Sequence, residues 1–211
     1  MKIAIVAGSR PPKNLISEIK NADYVIGVDR GSYFLIKLGV TPDLAIGDLD
    51  SVNHKELKLI KNNSKAVREF PAQKDETDLE LAINESIKLN PKTVLIFGAT
   101  GGRTDHSLTA IYLLKKLLEK NVEAKILDEN QEIFLMNKDH SVKKSNYFHY
   151  FSIFSLNSDS VVSLTGFKYN LEKKLINAGD SFGVSNEIVD DIARIQIYQG
   201  TLLIVRSRDF W

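Results

Sequence analysis

The 211-residue sequence contains no cysteine. That excludes disulfide bridges and thiolate chemistry, and it leaves histidine, aspartate and glutamate as the side chains able to hold a metal. No charge dominates either: 28 Lys and Arg stand against 27 Asp and Glu, a formal net charge of +1. Broad electrostatic attraction to nucleic acid or to a membrane surface is therefore not expected, and any polyanion has to be bound locally. No apolar run reaches the ~18 residues of a membrane-spanning helix. The opening "MKIAIVAGSR" is apolar for too few residues to be a secretion signal, and Arg10, Pro11 and Pro12 close it. Tryptophan occurs once, as Trp211, and is assigned no role. The remaining composition, 43% hydrophobic and 26% charged, fits a cytoplasmic globular protein of one large or two modest domains.

The first 128 residues alternate short apolar runs with amphipathic stretches. "KIAIVAG" (2–8), "YVIGVD" (24–29), "DLAIGD" (43–48), "KTVLIFGA" (92–99) and "VEAKILD" (122–128) read as buried strands. "LISEIKNA", "RGSYFLIKLG", "HKELKLIKNN", "TDLELAINESIKLN" and "TDHSLTAIYLLKKLLEKN" read as helices, and "KAVREFP" as a short extended piece. Thr77 or Asp78 can cap the fourth helix. This βαβα rhythm predicts an α/β domain over 1–128 with a parallel, Rossmann-like sheet covered by helices, whose ligands sit beyond the carboxyl ends of the strands. After residue 130 aromatic and β-branched residues predominate, broken by Asn, Asp, Ser and Gly turns. Residues 131–211 read as an antiparallel β-sandwich domain, with "ARIQIYQGTLLIVRS" as a hairpin about Gly200.

Polar clusters fall at the predicted strand ends. In "LAIGDLDSV" (44–52), Asp48 and Asp50 stand one residue apart after an apolar run. Such a pair is costly unless a cation lies between the carboxylates or one is protonated, and hard oxygen ligands suit Mg²⁺. The plainer alternative is a solvated acidic turn in which Asp50 or Ser51 caps the next helix. "QKDETDLE" (73–80) offers Asp78 as a third carboxylate and Lys74 as a phosphate contact. "FGATGGRTDHS" (97–107) places three glycines, Arg103 and Asp105 between a strand and a helix, where backbone N–H groups and a guanidinium can hold phosphate. It is neither a Walker A loop nor a G-x-G-x-x-G fingerprint. Together the three clusters read as Mg²⁺-assisted transfer of a phosphoryl-type group from a nucleotide.

In that order and spacing, "VDRGSYFLIKLGVTPDLAIGDLDSV", "PAQKDETDLELAI" and "IFGATGGRTDHSL" resemble the thiamine pyrophosphokinases. "LTGFKYNLEKKLINAGDSFGVSNEI" resembles the second domain of that family, with its Ser-Asn-Glu signature. The resemblance covers nearly the whole chain. It implies an α/β domain followed by a β-sandwich, and a homodimer with active sites at the subunit interface. The reaction it implies is transfer of pyrophosphate from ATP to the hydroxyl of thiamine, giving thiamine diphosphate and AMP. Asp48, Asp50 and Asp78 match the Mg²⁺-handling carboxylates, and Asp78, Arg103 and Asp105 the catalytic positions. On the ATP side stand Asp29, Arg30 and Gly31, then Lys74, Asp75 and Thr77, then Gly101 and Gly102. Ser185 and Asn186 match the thiamine-binding signature. Arg30 departs from the family pattern, which often has a second glycine there.

Two other readings compete. "DLDSV" also fits the nucleophile motif of haloacid dehalogenase phosphatases, in which the first Asp attacks phosphorus. That motif normally ends the first strand of its core, whereas two strands precede it here. A non-catalytic nucleotide or thiamine sensor on the same fold is the other alternative, and the presence of every expected carboxylate argues against it.

Overall fold

The computed structural model describes residues 1–156 and 158–209, so Trp211 lies outside the described residues. The chain divides into two compact units, Met1–Glu129 and Asn130–Trp211. Among the described residues no helix is long and apolar enough to cross a membrane.

The first unit is built on a parallel sheet. Its strands are β1 (Lys2–Val6), β2 (Tyr24–Val28), β3 (Leu44–Gly47), β4 (Val67–Glu69), β5 (Thr93–Phe97) and β6 (Glu123–Leu127), in the order β4-β3-β2-β1-β5-β6. The central strands have no solvent face, because Ile3–Val6 and Val94–Phe97 are buried throughout. That is why they read as continuous apolar runs rather than alternating ones. The helices are α1 (Ile16–Lys20), preceded by a 3-10 turn, α2 (Arg30–Lys37), α3 (His54–Asn63), α4 (Asp78–Lys88) and α5 (Thr104–Glu119). Ile19 of α1 and Leu35 of α2 pack with Ala4, Val6, Val25, Leu95 and Phe97 on one side of the sheet. The helix α4 packs across β1, β2 and β3 and against α5.

Helix starts follow local chemistry. Thr77 caps α4, its Oγ1 accepting the Glu80 N–H at 3.2 Å. The cap of α3 is Asn53 rather than Asp50 or Ser51: Asn53 Oδ1 accepts the N–H groups of Lys55 and Glu56, and Glu56 Oε2 accepts the Asn53 N–H. This reciprocal capping box leaves the acidic turn before it free of capping duty. The sheet order has one functional consequence. The chain leaves β1 toward β2 on one side, while β5 pairs on the other, so the loops after β1 and β5 diverge and open a crevice at the carboxyl end of the sheet.

The second unit is a sandwich. Strands β7 (Gln131–Met136), β9 (Tyr150–Ser155) and β13 (Leu202–Ser207) form one antiparallel layer in the order β7-β13-β9. Strands β8 (His140–Lys143), β10 (Ser160–Thr165), β11 (Leu171–Ile176) and β12 (Ile192–Gln199) form the other, ordered β11-β10-β12-β8. Phe134, Phe151, Ile153 and Ile204 of the first layer share a core with Val162, Leu164, Ile195 and Phe167 on the side of the second. The hairpin expected about Gly200 is not formed. β12 pairs with β10 and β8, whereas β13 pairs with β7 and β9. Both strands aim an apolar face into the same core, Ala193 and Ile195 from β12 and Leu202 and Ile204 from β13. The chain satisfies both by crossing between layers at Gly200 instead of pairing with itself.

In the first unit the tightest backbone approach lies at Gly31, where a Cβ would stand 2.1 Å from the Val6 carbonyl oxygen and 2.5 Å from that of Ala7. Gly31→Ala is therefore expected to lower unfolding free energy by about 1–3 kcal/mol or more. Urea titration checks this, and wild-type stability would show that α2 does not rest on the end of β1 this closely.

Candidate active site

Beyond β2 the chain turns at Asp29, whose φ of 47° and ψ of −121° are unusual for a residue other than glycine. The Asp29 N–H donates to the Ile46 carbonyl at 2.9 Å, and Oδ1 accepts the Leu49 N–H at 3.2 Å, stitching the end of β2 to the end of β3. The carboxylate fits there because Gly47 has no side chain: a Cβ would lie 1.8 Å from Asp29 Oδ1. One residue on, Leu49 also has a positive φ, 57°, and is buried with Ala45 and Ile60. This turn separates the two acids around it. Asp48 faces inward, while the exposed Asp50 folds back so that its N–H donates to Asp48 Oδ1 at 3.0 Å.

Carboxylate oxygens of Asp29, Asp48 and Asp78 lie within 4.8 Å of one another. The group brought together thus contains Asp29, expected on the ATP side, and not Asp50. The charges within it are poorly matched. Lys74 Nζ stands 3.0 Å from Asp78 Oδ1 and 3.9 Å from Asp48 Oδ2, and it donates to the Pro71 carbonyl at 3.0 Å. Among the described residues no donor makes a well-aligned hydrogen bond to the buried Asp78 Oδ1, and the Lys74 ammonium is its counter-charge. Burial first, and then the Asp78 carboxylate, push the Asp29 carboxyl up to about 7. Asp50 is raised as well, chiefly by its hydrogen bond with Asp48 and by that group's charge. Three converging oxygens, one without a good donor and one reluctant to ionise, fit a hard divalent cation.

The triad opens into a cavity of about 540 Å³, large enough for a nucleotide-sized ligand. Asp29, Arg30, Asp48, Lys74, Thr77, Asp78, Gly102 and Arg103 line it. Gly31 serves packing instead, and Asp50, Asp75, Gly101 and Asp105 are not in the lining. Arg103 and Asp105 bind each other, Nε to Oδ1 at 3.1 Å and Nη2 to Oδ2 at 2.5 Å. That bidentate contact holds the exposed Asp105 below the usual carboxylate range. Thr100 donates to Asp128 at the end of β6 and so anchors the glycine-rich loop. The sequence reading missed Ala7, Gly8 and Ser9, which follow β1 and also line the cavity. Small uncharged residues carry no chemical signal; only the position of β1 at the divergence of the sheet marks them.

Ser185 and Asn186 lie in the second unit. The Asn186 side chain is buried and occupied within that unit: Oδ1 accepts the N–H groups of Tyr169 and Glu187, and Nδ2 donates to the Tyr169 carbonyl. Its backbone carbonyl accepts the Phe151 N–H at 2.7 Å. Ser185 is exposed at φ 57°, and its N–H donates to Ser152 Oγ. Asn186 thus pins the turn that carries Ser185 at the surface.

Fold and site define a class: an α/β protein with a carboxylate-lined pocket where the loops leaving its parallel sheet diverge. A family model described as the catalytic domain of thiamin pyrophosphokinase matches residues 15–126, and one described as its vitamin B1 binding domain matches residues 139–202. Thiamine pyrophosphokinase of Bacillus subtilis (strain 168) is 34% identical over 213 residues, covering 98% of this chain and 99% of that protein. The crystal structure of the Bacillus subtilis enzyme aligns with a TM-score of 0.91 at 33% identity, over 100% of both chains. That from Geobacillus thermodenitrificans aligns with a TM-score of 0.88 at 29% identity, over 100% of this chain and 99% of that one. The chain belongs to the thiamin pyrophosphokinase family.

Two outcomes are expected. Because Asp29 holds its proton to about pH 7 in the folded protein and loses it near 3.8 when unfolded, stability without metal falls as pH rises between those values. Asp29→Asn removes that penalty. In EDTA its melting temperature should exceed the wild-type value at pH 8, with the gain shrinking as pH is lowered towards 4; a pH-independent difference would contradict this. Asn186→Ala should cost about 2–3 kcal/mol of stability by leaving buried amide partners unmet, read by chemical denaturation without ligand.

Proposed function

We propose that the protein is a thiamine pyrophosphokinase. The hydroxyethyl oxygen of thiamine attacks the β-phosphorus of ATP, the bridge between the α- and β-phosphates breaks, AMP leaves and the hydroxyl proton is released. The observation that carries this reading is the triad of Asp29, Asp48 and Asp78 beside Lys74, at the divergence of the sheet in a chain of this family.

Mg²⁺ bound with the nucleotide would supply neutralising charge at the phosphates. Asp29, Asp48 and Asp78 would hold it, with Asp50 behind Asp48 as a hydrogen-bonding neighbour rather than a direct ligand. Lys74, already between Asp48 and Asp78, turns its ammonium to phosphate oxygens. The backbone N–H of Gly102 and the N-terminus of α5 favour the polyphosphate. Thr77 keeps Asp78 at the first turn of α4. Arg103 exchanges Asp105 for phosphate, which frees Asp105, a carboxylate at neutral pH, to orient the attacking hydroxyl. Positioning and charge stabilisation do most of the catalytic work in such transfers. Ser185 contributes to thiamine binding from the turn that Asn186 pins. We further propose a homodimer working in the cytoplasm.

The deciding experiment follows the nucleotide product with ATP, Mg²⁺ and thiamine. AMP should appear in step with thiamine diphosphate, and EDTA should stop both; ADP would mean transfer of a single phosphoryl group and would sink the proposal. Asp78→Asn is expected to lower kcat by about a hundredfold or more while circular dichroism stays unchanged. Wild-type turnover in that variant would remove Asp78 from the site.

A further inference from the structure

Three cationic side chains, Arg30, Lys74 and Arg103, line the cavity. Two already face carboxylates of the site: Lys74 faces Asp78 and Asp48, and Arg103 is bound by Asp105. Arg30 is held differently. Its Nη2 stands 3.6 Å from Glu56 Oε1, and its guanidinium carbon lies 5.7 Å from the centre of the Phe34 ring. At that distance the contact is an ion pair without a hydrogen bond. The Arg30 side chain is 49% exposed, whereas that of Glu56 is only 12% exposed.

Glu56 cannot follow Arg30 outward, because its other oxygen, Oε2, accepts the Asn53 N–H at 3.1 Å in the box that starts α3. One carboxylate thus has two duties. It begins the helix directly after the acidic turn, and it sets where the Arg30 guanidinium stands. The N–H donors of Arg30 remain available to a ligand in the cavity.

We infer that Arg30 binds the polyphosphate of the nucleotide and that Glu56 positions it for that contact; this rests on the reading of the cavity as the ATP site. Arg30 directly follows Asp29, a member of the carboxylate triad, so its side chain starts where the charged phosphates must gather. A guanidinium offers paired donors in a plane matched to phosphate oxygens. Its anchor is a carboxylate outside the triad, so phosphate binding takes no counter-charge from the groups that would hold the cation. A contact to the polyphosphate makes ATP, which carries two more phosphates than AMP, respond more strongly to its loss.

Titration calorimetry of ATP and of AMP, each with Mg²⁺ and the full chain, separates the outcomes without turnover. Arg30→Ala is expected to weaken ATP binding about tenfold or more and to leave AMP binding within about twofold. Equal losses for both nucleotides, or no loss for ATP, would overturn the assignment. Glu56→Gln keeps the helix cap, since its amide oxygen accepts the same N–H, and removes the charge facing Arg30. It should weaken ATP about threefold in the wild-type background and have no further effect in Arg30→Ala. An undiminished effect in that second background would show Glu56 acting on the acidic turn instead, and would end its positioning role. If the wild-type protein binds ATP yet transfers nothing to thiamine, the proposed function falls while these titrations still decide the role of Arg30.

Discussion

Mutual repulsion among Asp29, Asp48 and Asp78, whose oxygens converge within 4.8 Å, is the constraint around which the first unit is organised. Three carboxylates gather at that spacing only if the backbone holds them against their charge. A parallel sheet does this well, because it brings the ends of β2 and β3 side by side although they are distant in sequence, while α4 packs across both and presents Asp78. The relief present in the protein itself is partial: the Leu49 N–H at Asp29, the Lys74 ammonium between Asp48 and Asp78, and a proton that Asp29 keeps up to about pH 7. Two residues with positive φ, Asp29 and Leu49, mark where backbone comfort yields to this geometry.

The sheet was legible because both faces of its central strands are buried, and no pattern other than a continuous apolar run meets that requirement. Thr77 was legible as a cap, and Asp48 and Asp78 as acids that meet at one place, since each announces itself through charge or hydroxyl at an element boundary. Asp29, expected on the nucleotide side, does line the cavity, but its closeness to Asp48 and Asp78 was not legible. Its turn toward Asp48 depends on the missing side chain of Gly47, at the end of the next strand, which no local pattern encodes. Asp50 looked equivalent to Asp48 because residues two apart share a face in a strand. The strand ends at Gly47, however, and the positive φ of Leu49 breaks the equivalence.

In the second unit, composition and turn residues sufficed for a β-sandwich but not for its connectivity. Alternation within "ARIQIYQGTLLIVRS" is the same whether the two strands pair or face each other across the core. Only the competition among all the strands for β10 and β9 decides it, and that is a property of the whole unit. Asn186 teaches a related lesson. Asn186 stands in a binding signature, yet its amide is engaged by Tyr169 and Glu187, so what it supplies within the unit is shape.

Leu49 sits between the two acids of the turn, and its side chain is packed against Ala45 and Ile60. Dispersion contacts of this kind do not respond to salt or to protonation. The backbone that carries Asp48 is therefore seated by interior packing as well as by the charges around it. The apolar plug behind the turn acts as a calliper, with its setting fixed by the fit of Leu49 against Ile60 of α3, so the place of an acidic turn becomes in part a property of the hydrophobic core.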